Sequence, residues 1–394
     1  MKQTIAIIGG GAAALSLASF LDSTKFDISL YEKNKALGRK FLVAGKGGFN
    51  LTHAESMDDL VSRYAPEPFL KPALSAFSKD DFRVWLASIG VPTFVGSSNR
   101  VYPEKGIKPI EVLRAIKKTL VLNEVKIHFN KTWTGWSEKE ELLFSDETVA
   151  TPDLCIFALG GGSWKITGSD GSWLREFKKA GIKTKEFEAS NCAFEVKWND
   201  AILDRFAGKP LKNIRISCQD KTQKGEVVLT KFGLEGNAIY ALSPGIRKQL
   251  SKGTALITVD FKPTFSAEAL LEKLTTTKAK NSTDCLKNEL NLSALQIGLI
   301  RSYLTKDEFL NKETLSQKIK NFPIQIDGIA HIDEAISTVG GIDLGEINSN
   351  FELTNKSNSY CIGEMLDWDA PTGGYLLQAC FSMGYHLAVH LNNE

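Results

Sequence analysis

The stretch from Thr4 to Leu21 narrows the possible folds more than any other part of the chain. Ile5 to Ile8 form a short apolar run, long enough for a strand buried on both faces. Gly9-x-Gly11-x-x-Ala14 follows at once, and Ala12 to Leu21 reads as a helix with small residues toward the strand. In this pattern Gly9 permits a tight turn, Gly11 lets backbone approach a pyrophosphate, and Ala14 lets helix and strand pack closely. The N–H groups at the helix start, on Ala12 and Ala13, face the phosphate charge. A second strand, Asp27 to Lys33, carries Glu32 near its end, 18 positions after Ala14. That is the distance at which a carboxylate accepts hydrogen bonds from an adenosine ribose. The glycines alone are weak evidence. Strand, turn, helix, strand and terminal acid in register predict a bound dinucleotide, whereas a glycine-rich hairpin would leave Glu32 unexplained.

At 394 residues the chain is too long for one ordinary domain, and two or three are expected. Hydrophobic content of 43% and charged content of 24% fit a soluble globular enzyme. A formal net charge of +2 gives no reason to expect a nucleic acid or a membrane as the main partner. Cys155, Cys192, Cys218, Cys285, Cys361 and Cys380 are scattered without a C-x-x-C pair. That argues against a zinc site or a redox dithiol, and for a reducing, cytoplasmic setting. No metal site is expected. Glycines break the apolar N-terminus, which reads as a first strand rather than a signal peptide.

After the second strand the chain departs from a plain nicotinamide domain. Leu37 to His53 is read as a long loop rich in glycine and base. Arg39, Lys40 and Lys46 are placed to reach phosphates, and Gly45, Gly47 and Gly48 leave bare backbone for something planar. Helical periodicity follows over 57–64, 68–77 and 79–89, then an extended piece at Val101 to Pro103 and a helix from Pro109 to Leu122. Val125 to Phe129 resumes the parallel sheet, and Trp133 to Val149 supplies antiparallel crossover strands. Asp153 to Leu159 is another buried strand; it ends in Gly160, Gly161 and Gly162, at the carboxyl edge where open α/β sheets bind ligands.

Near residue 191 the texture changes to short alternating strands, then short helices. Residues 1–190 and 336–394 are expected to form an α/β, Rossmann-like dinucleotide-binding domain. Residues 191–262 with 321–335 are expected to form an inserted small antiparallel β-barrel or sandwich, and 263–320 a helical subdomain. At the far end Tyr360 to Glu364 reads as a buried strand closing on Gly363 and Glu364. Thr372, Gly373 and Gly374 then open a helix whose Leu376, Leu377, Cys380, Met383, Gly384, Leu387, Ala388 and Leu391 form one apolar face. Glu364 suits sugar-alcohol hydroxyls, and the helix N-terminus suits a flavin edge that becomes anionic on reduction.

These pieces resemble the two-dinucleotide-binding-domain flavoproteins, and within them the YhiN/BaiN-type family. The matching residues are Gly9 to Gly11 with Glu32, Gly38-Arg39-Lys40 through Asn50-Leu51-Thr52, and Leu159 to Ser163 with Thr167 to Gly171. Thr230 to Gly236, Val339 to Gly341, Gly363 to Asp367 and Thr372 to Tyr375 complete the match. The resemblance implies FAD bound in extended form, with Glu32 and Lys33 at the adenosine ribose and Gly9, Gly11, Ala12 and Ala13 at the pyrophosphate. It places Arg39 and Lys40 along the pyrophosphate and ribityl side, with Gly45, Asn50, Gly160 and Gly161 beside them. Gly363 and Glu364 fall at the ribityl chain, and Gly373, Gly374 and Tyr375 at the isoalloxazine edge. One departure counts: relatives usually have Arg-Cys before the Asn of the glycine loop, where this chain has Gly48 and Phe49, and His53 stands where Asn is commoner. A thiol mechanism at this loop is thereby ruled out, and the substrates of relatives do not carry over.

The expected function is that of an FAD-dependent oxidoreductase passing hydride between flavin and a small organic substrate, with NAD(P)H as a candidate transient donor. His53, Tyr375, Asp367 and Asp369 are the candidate proton donors. Three other readings stand beside it: a flavin-binding sensor or interaction protein without turnover, a flavin-dependent RNA-modifying enzyme, and an NAD-only dehydrogenase. The near-neutral charge weighs against RNA, and the Arg39 loop and the Gly363-Glu364 strand weigh against NAD alone. Substrate identity and oligomeric state are not legible in the sequence.

Overall fold

A computed structural model describes residues 1–43, 48–96 and 98–394. The backbone falls into two compact units, Met1–Ser190 with Ile332–Glu394, and Asn191–His331.

The first unit is built on the N-terminal pattern. Strand β1 (Gln3–Ile8) runs into helix α1 (Ala12–Phe20) and returns as β2 (Phe26–Glu32). Three short strands, β3 (Thr52–His53), β4 (Thr93–Val95) and β5 (Arg100–Pro103), form a small antiparallel sheet in the order β3-β5-β4. Strand β6 (Lys126–Phe129) then joins β2, the strand Leu154–Phe157 joins the other side of β1, and Ser359–Cys361 lies outside it. All of these main-sheet pairings are parallel. Ile5, Ile7 and Ile8 are at most 1% exposed, as the central strand of a sheet covered on both faces requires.

The two ends of the chain lock together across this sheet. The last helix, Tyr375–Asn393, crosses α1, and Ser16 Oγ donates to the Phe381 carbonyl at 2.7 Å. Gly384 makes the close approach possible: a Cβ there would stand 2.7 Å from Ala13 O and Leu17 N.

Two features differ from the sequence reading. The stretch after Glu32 is not all loop, since Arg39–Val43 is helical. Gly38 turns the chain at φ +64°, its N–H donates to Gly10 O at 2.8 Å, and Phe41 is buried, which together wind this turn against the glycine fingerprint. Gly45, Lys46 and Gly47 lie outside the described residues. A strand at Thr184–Ser190, whose only large apolar residue is Phe187, pairs antiparallel with Ser337–Ile342. The two strands form a separate two-stranded sheet.

The second unit is a seven-stranded antiparallel sheet. Its edge strands, Phe322–Ile326 and Gly328–Ile329, are separated in sequence only by Asp327, so the sheet must curl until its edges adjoin, as in a small barrel. The helices between 267 and 320 share one core with that sheet: Leu270, Leu286, Ile300 and Ile319 cluster with Ile216, Ile257 and Ile324. They do not form a core of their own. No helix among the described residues is long and apolar enough to cross a membrane.

Candidate functional site

The carboxyl ends of the parallel strands open onto a cavity of about 410 Å³ in the first unit. The sheet order places Ser359–Cys361 three strands from β2. At ~4.8 Å per strand this edge is about 14 Å wide, a span suited to an extended ligand.

At the β1 end each glycine answers to a different neighbour. A Cβ on Gly9 would stand 2.4 Å from the Ala158 carbonyl, and one on Gly10 would meet Leu37 and the Glu32 carboxylate. A Cβ on Gly11 would meet nothing within 4 Å, so the bare backbone there faces open cavity. Gly11 also caps α1, where no side chain caps the helix and the first turn holds no acid. Its free N–H groups suit a phosphate. Glu32 is 8% exposed; its Oε2 accepts from Gly10 N at 2.8 Å and its Oε1 from Asn34 N at 2.8 Å and Asn34 Nδ2 at 2.6 Å. The carboxylate thus pins the turn on whose far side it meets the cavity.

Cations clasp the walls. Arg39 donates from Nη1 to Asn34 Oδ1 at 2.6 Å and from Nη2 to Ile166 O at 2.7 Å, tying the fingerprint to the Trp164–Ser169 wall. Lys33 pairs with Asp170 at 2.9 Å. Lys40 Nζ lies 2.9 Å from Glu364 Oε2 and donates to Ser163 Oγ at 3.0 Å, while Thr338 N donates to Glu364 Oε1 at 3.1 Å. Asn50 lines the cavity with its Oδ1 buried and without a hydrogen-bond partner among the described residues, an acceptor left for a ligand donor. An open cradle at Gly11, an acid at β2, an unmatched acceptor at Asn50 and a second acid at Glu364 fit an extended dinucleotide such as FAD.

Next to the Asn50 and Leu376 side of this cavity lies a polar cluster. The His53 and Tyr375 rings stack with centroids 5.1 Å apart. Tyr375 OH donates to Glu55 Oε1 at 2.6 Å, and Arg63 Nη2 donates to Glu55 Oε2 at 2.9 Å. Burial, and then the bond to Glu55, push the Tyr375 hydroxyl far above the usual phenol range. Burial lowers His53, against the opposing pull of the Glu55 charge. The bond to Glu55 raises Arg63.

The cavity collects Gly9, Gly11, Ala12, Ala13, Glu32, Lys33, Arg39, Lys40, Asn50, Gly160, Gly363 and Glu364 from the residues expected at the cofactor. Gly161 sits behind the wall, where a Cβ would strike Thr338 Oγ1 at 2.2 Å. Gly373, Gly374 and Tyr375 open the last helix just outside the lining. Gly374 turns at φ +107°, and a Cβ there would stand 2.6 Å from three backbone atoms of Thr52, so packing against β3 alone requires this glycine. Asp367 pairs with Lys185 at 2.6 Å and accepts from Gly340 N at 3.0 Å; Asp369, 5% exposed, accepts from Ser190 Oγ at 2.7 Å. Neither aspartate lines the cavity.

Sequence reasoning missed several wall residues. Trp164, at φ +65°, and Trp173 line one side, with Trp173 Nε1 donating to Gly160 O at 3.1 Å. Leu376, Leu377 and Cys380 line another. The signal for these three was present: all belong to the apolar face of the last helix. Burial pushes the Cys380 thiol up to about 12, so it is an inert wall rather than a nucleophile.

The family profile described as the HI0933-like protein Rossmann domain matches residues 3–390. The chain is 25% identical over 407 residues to the 3-dehydro-bile acid delta(4,6)-reductase of Clostridium scindens, covering 97% of each chain. It is 24% identical over 404 residues to a ribosomal RNA dihydrouridine synthase of Haemophilus influenzae, covering 98% of each. Among solved structures, the 3-ketosteroid delta1-dehydrogenase of Sterolibacterium denitrificans overlays with a TM-score of 0.50 at 10% identity, across 100% of both chains. That is a likeness of fold.

Proposed function

The chain belongs to the HI0933-like Rossmann family and is an FAD-dependent oxidoreductase, and we propose that it reduces a carbon–carbon double bond conjugated with a carbonyl or carboxyl group of a small organic acceptor. The observation that carries the reading is the cavity joining Gly11 and Glu32 at one strand edge to Glu364 and the last helix at the other. One curated relative is named as a reductase of a bile acid and another as a synthase of dihydrouridine in ribosomal RNA, names that support a reduction as the reaction class.

Bound FAD supplies the hydride. Gly11 and the start of α1 hold the pyrophosphate, Glu32 the adenosine ribose, and Lys40 with Glu364 the ribityl hydroxyls. The Trp164 and Trp173 wall and the Leu376, Leu377 and Cys380 face exclude water. His53, lowered by burial and therefore neutral near pH 7, and Tyr375, held protonated, are the titratable groups beside the reacting end. Asp367 and Asp369 hold Lys185 and Ser190 and serve the fold.

The test is anaerobic. Purified protein is mixed with NADH or NADPH, and then with a panel of enones, conjugated acids and saturated ketones. Bleaching by one nucleotide and recovery with conjugated acceptors alone is expected. Recovery with saturated ketones but not with enones sinks the reaction class, and colourless protein that FAD cannot reconstitute sinks the cofactor.

One observation favours a second reading. The overall charge of +2 conceals an uneven division: residues 191–331 hold 21 Lys and Arg against 15 Asp and Glu, while the remainder holds 27 against 31. A basic inserted unit is suited to a phosphate backbone. Uridine-containing RNA therefore belongs in the panel, and formation of dihydrouridine in that arm would replace the small-molecule reading.

A further inference from the structure

Strands β3, β5 and β4 present a face that lies outside the lining of the cavity. In antiparallel pairs, directly opposed residues point the same way, as do residues two apart on one strand. His53 opposes Arg100, and Phe94 opposes Tyr102, so these four side chains share one face. Tyr375 closes one rim by stacking on His53, and Gly373 stands on that same rim, where a side chain would begin 3.5 Å from both Arg100 Nε and the Tyr375 ring. The far end is open: Phe94 is 40% exposed and stacks on Tyr102 with centroids 5.6 Å apart at 25°. The wall residues Asn50 and Leu376 lie three residues before His53 and next to Tyr375 in the chain, and a Cβ on Gly48, next to the wall residue Phe49, would stand 2.9 Å from the Tyr102 ring.

Two arginines meet at this corner, in different states. Arg63 is occupied by Glu55, which Tyr375 also engages. Arg100 has no carboxylate partner among the described residues, and Ala44, Gly45, Lys46, Gly47 and Ser97, the remaining ones, bring no acid. A partly buried guanidinium without a counter-ion is a standing site for an anion, and its planar fork matches a carboxylate.

We propose that this shelf is the acceptor site and that it takes a planar conjugated carboxylate, its flat part on Tyr102 and Phe94 and its carboxylate on Arg100. The proposal rests on the flavoenzyme reading and narrows it from conjugated acceptors in general to anionic ones. Arg100 is then a specificity residue, and Glu55 a positioning residue that holds Tyr375 and Arg63 out of its way.

The experiment titrates the oxidised holoprotein with trans-cinnamate and with its neutral isostere trans-cinnamamide, reading the flavin spectrum and the heat of binding. Wild type should bind cinnamate saturably and more tightly than the amide. Arg100→Gln should weaken cinnamate by roughly 10- to 150-fold, the worth of a charge-assisted hydrogen bond, and leave the amide unchanged. Arg100→Lys, which keeps the charge and loses the fork, should fall between. Tyr102→Leu should weaken both ligands alike. FAD content and midpoint potential should match wild type in the Arg100 variants. No saturable cinnamate binding by yellow wild-type protein, or equal binding by Arg100→Gln, overturns the shelf while leaving the flavoenzyme reading standing. A changed potential or FAD content in Arg100→Gln assigns Arg100 to the cofactor instead and also overturns it. Protein that takes up no FAD sinks both.

Discussion

Two helices of the first unit begin on glycine near the same sheet edge, and the two glycines answer to different demands. Gly11, before α1, has φ −83°, a value any residue adopts, and a side chain there would enter empty space. Gly374, before the last helix, has φ +107°, and a side chain there would overlap the backbone of Thr52. The first glycine leaves room for a ligand, and the second leaves room for the protein itself. A resemblance between two motifs at the level of sequence therefore does not make them equivalent parts of a binding site.

The largest effect that could break this contrast is on stability. Gly374→Ala should destabilise the apoprotein by about 2–5 kcal/mol, through left-handed strain and overpacking together, and lower its melting temperature by on the order of 10 °C. Gly11→Ala should leave apoprotein stability within about 1 kcal/mol of wild type yet weaken FAD by roughly 30- to 150-fold, as a methyl group fills the cradle. Paired thermal melts and FAD titrations separate the two; a Gly11→Ala protein that binds FAD normally would show that the pyrophosphate lies elsewhere.

A smaller effect sharpens the role of Glu32, whose oxygens already serve Gly10 and Asn34. Glu32→Gln keeps the shape and removes the charge, so FAD affinity should fall about tenfold, one charge-assisted bond being worth ~1.5 kcal/mol. Unchanged affinity, measured by fluorescence of released flavin, would reduce Glu32 to a brace for the turn.

The smallest effect is pH dependence at the Gly374 end. Burial depresses the folded-state value of His53, so the unfolded chain binds the proton more readily. The contribution of His53 to stability is present above about pH 6.5 and is lost as pH falls through the folded value. His128 and His386 are depressed in the same direction and add to the slope. His53→Asn should flatten the decline between pH 7 and 5 by less than ~1 kcal/mol; an unchanged slope in denaturant melts would mean that Glu55 cancels the burial of His53.

The fingerprint end was legible because every element of it is local: an apolar run, a turn, a helix and an acid at fixed spacing. The strand ending at Gly363 and Glu364 was legible for the same reason. Thr184–Ser190 was not, since its partner lies some 150 residues away and its only large apolar residue is Phe187. The Glu55, Arg63 and Tyr375 cluster escaped notice because its members are brought together only by the crossing of the last helix behind β3. Asp367 and Asp369 carried the chemistry of proton donors in sequence, but their partners, Lys185 and Ser190, are visible only in three dimensions. The opposite charges of the two units were hidden because they nearly cancel in the total.

The locking of α1 to the last helix through Ser16, Phe381 and Gly384 also sets a timetable. In a nascent chain the fingerprint emerges before the inserted unit, but the outer strand Ser359–Cys361 and the helix that completes the cavity emerge after it. The middle unit has all of its strands and its own core long before that, and can fold while synthesis continues. The nucleotide site is therefore finished only after the inserted unit has been made, and polypeptides cut short before residue 375 should accumulate as colourless protein with a folded insert.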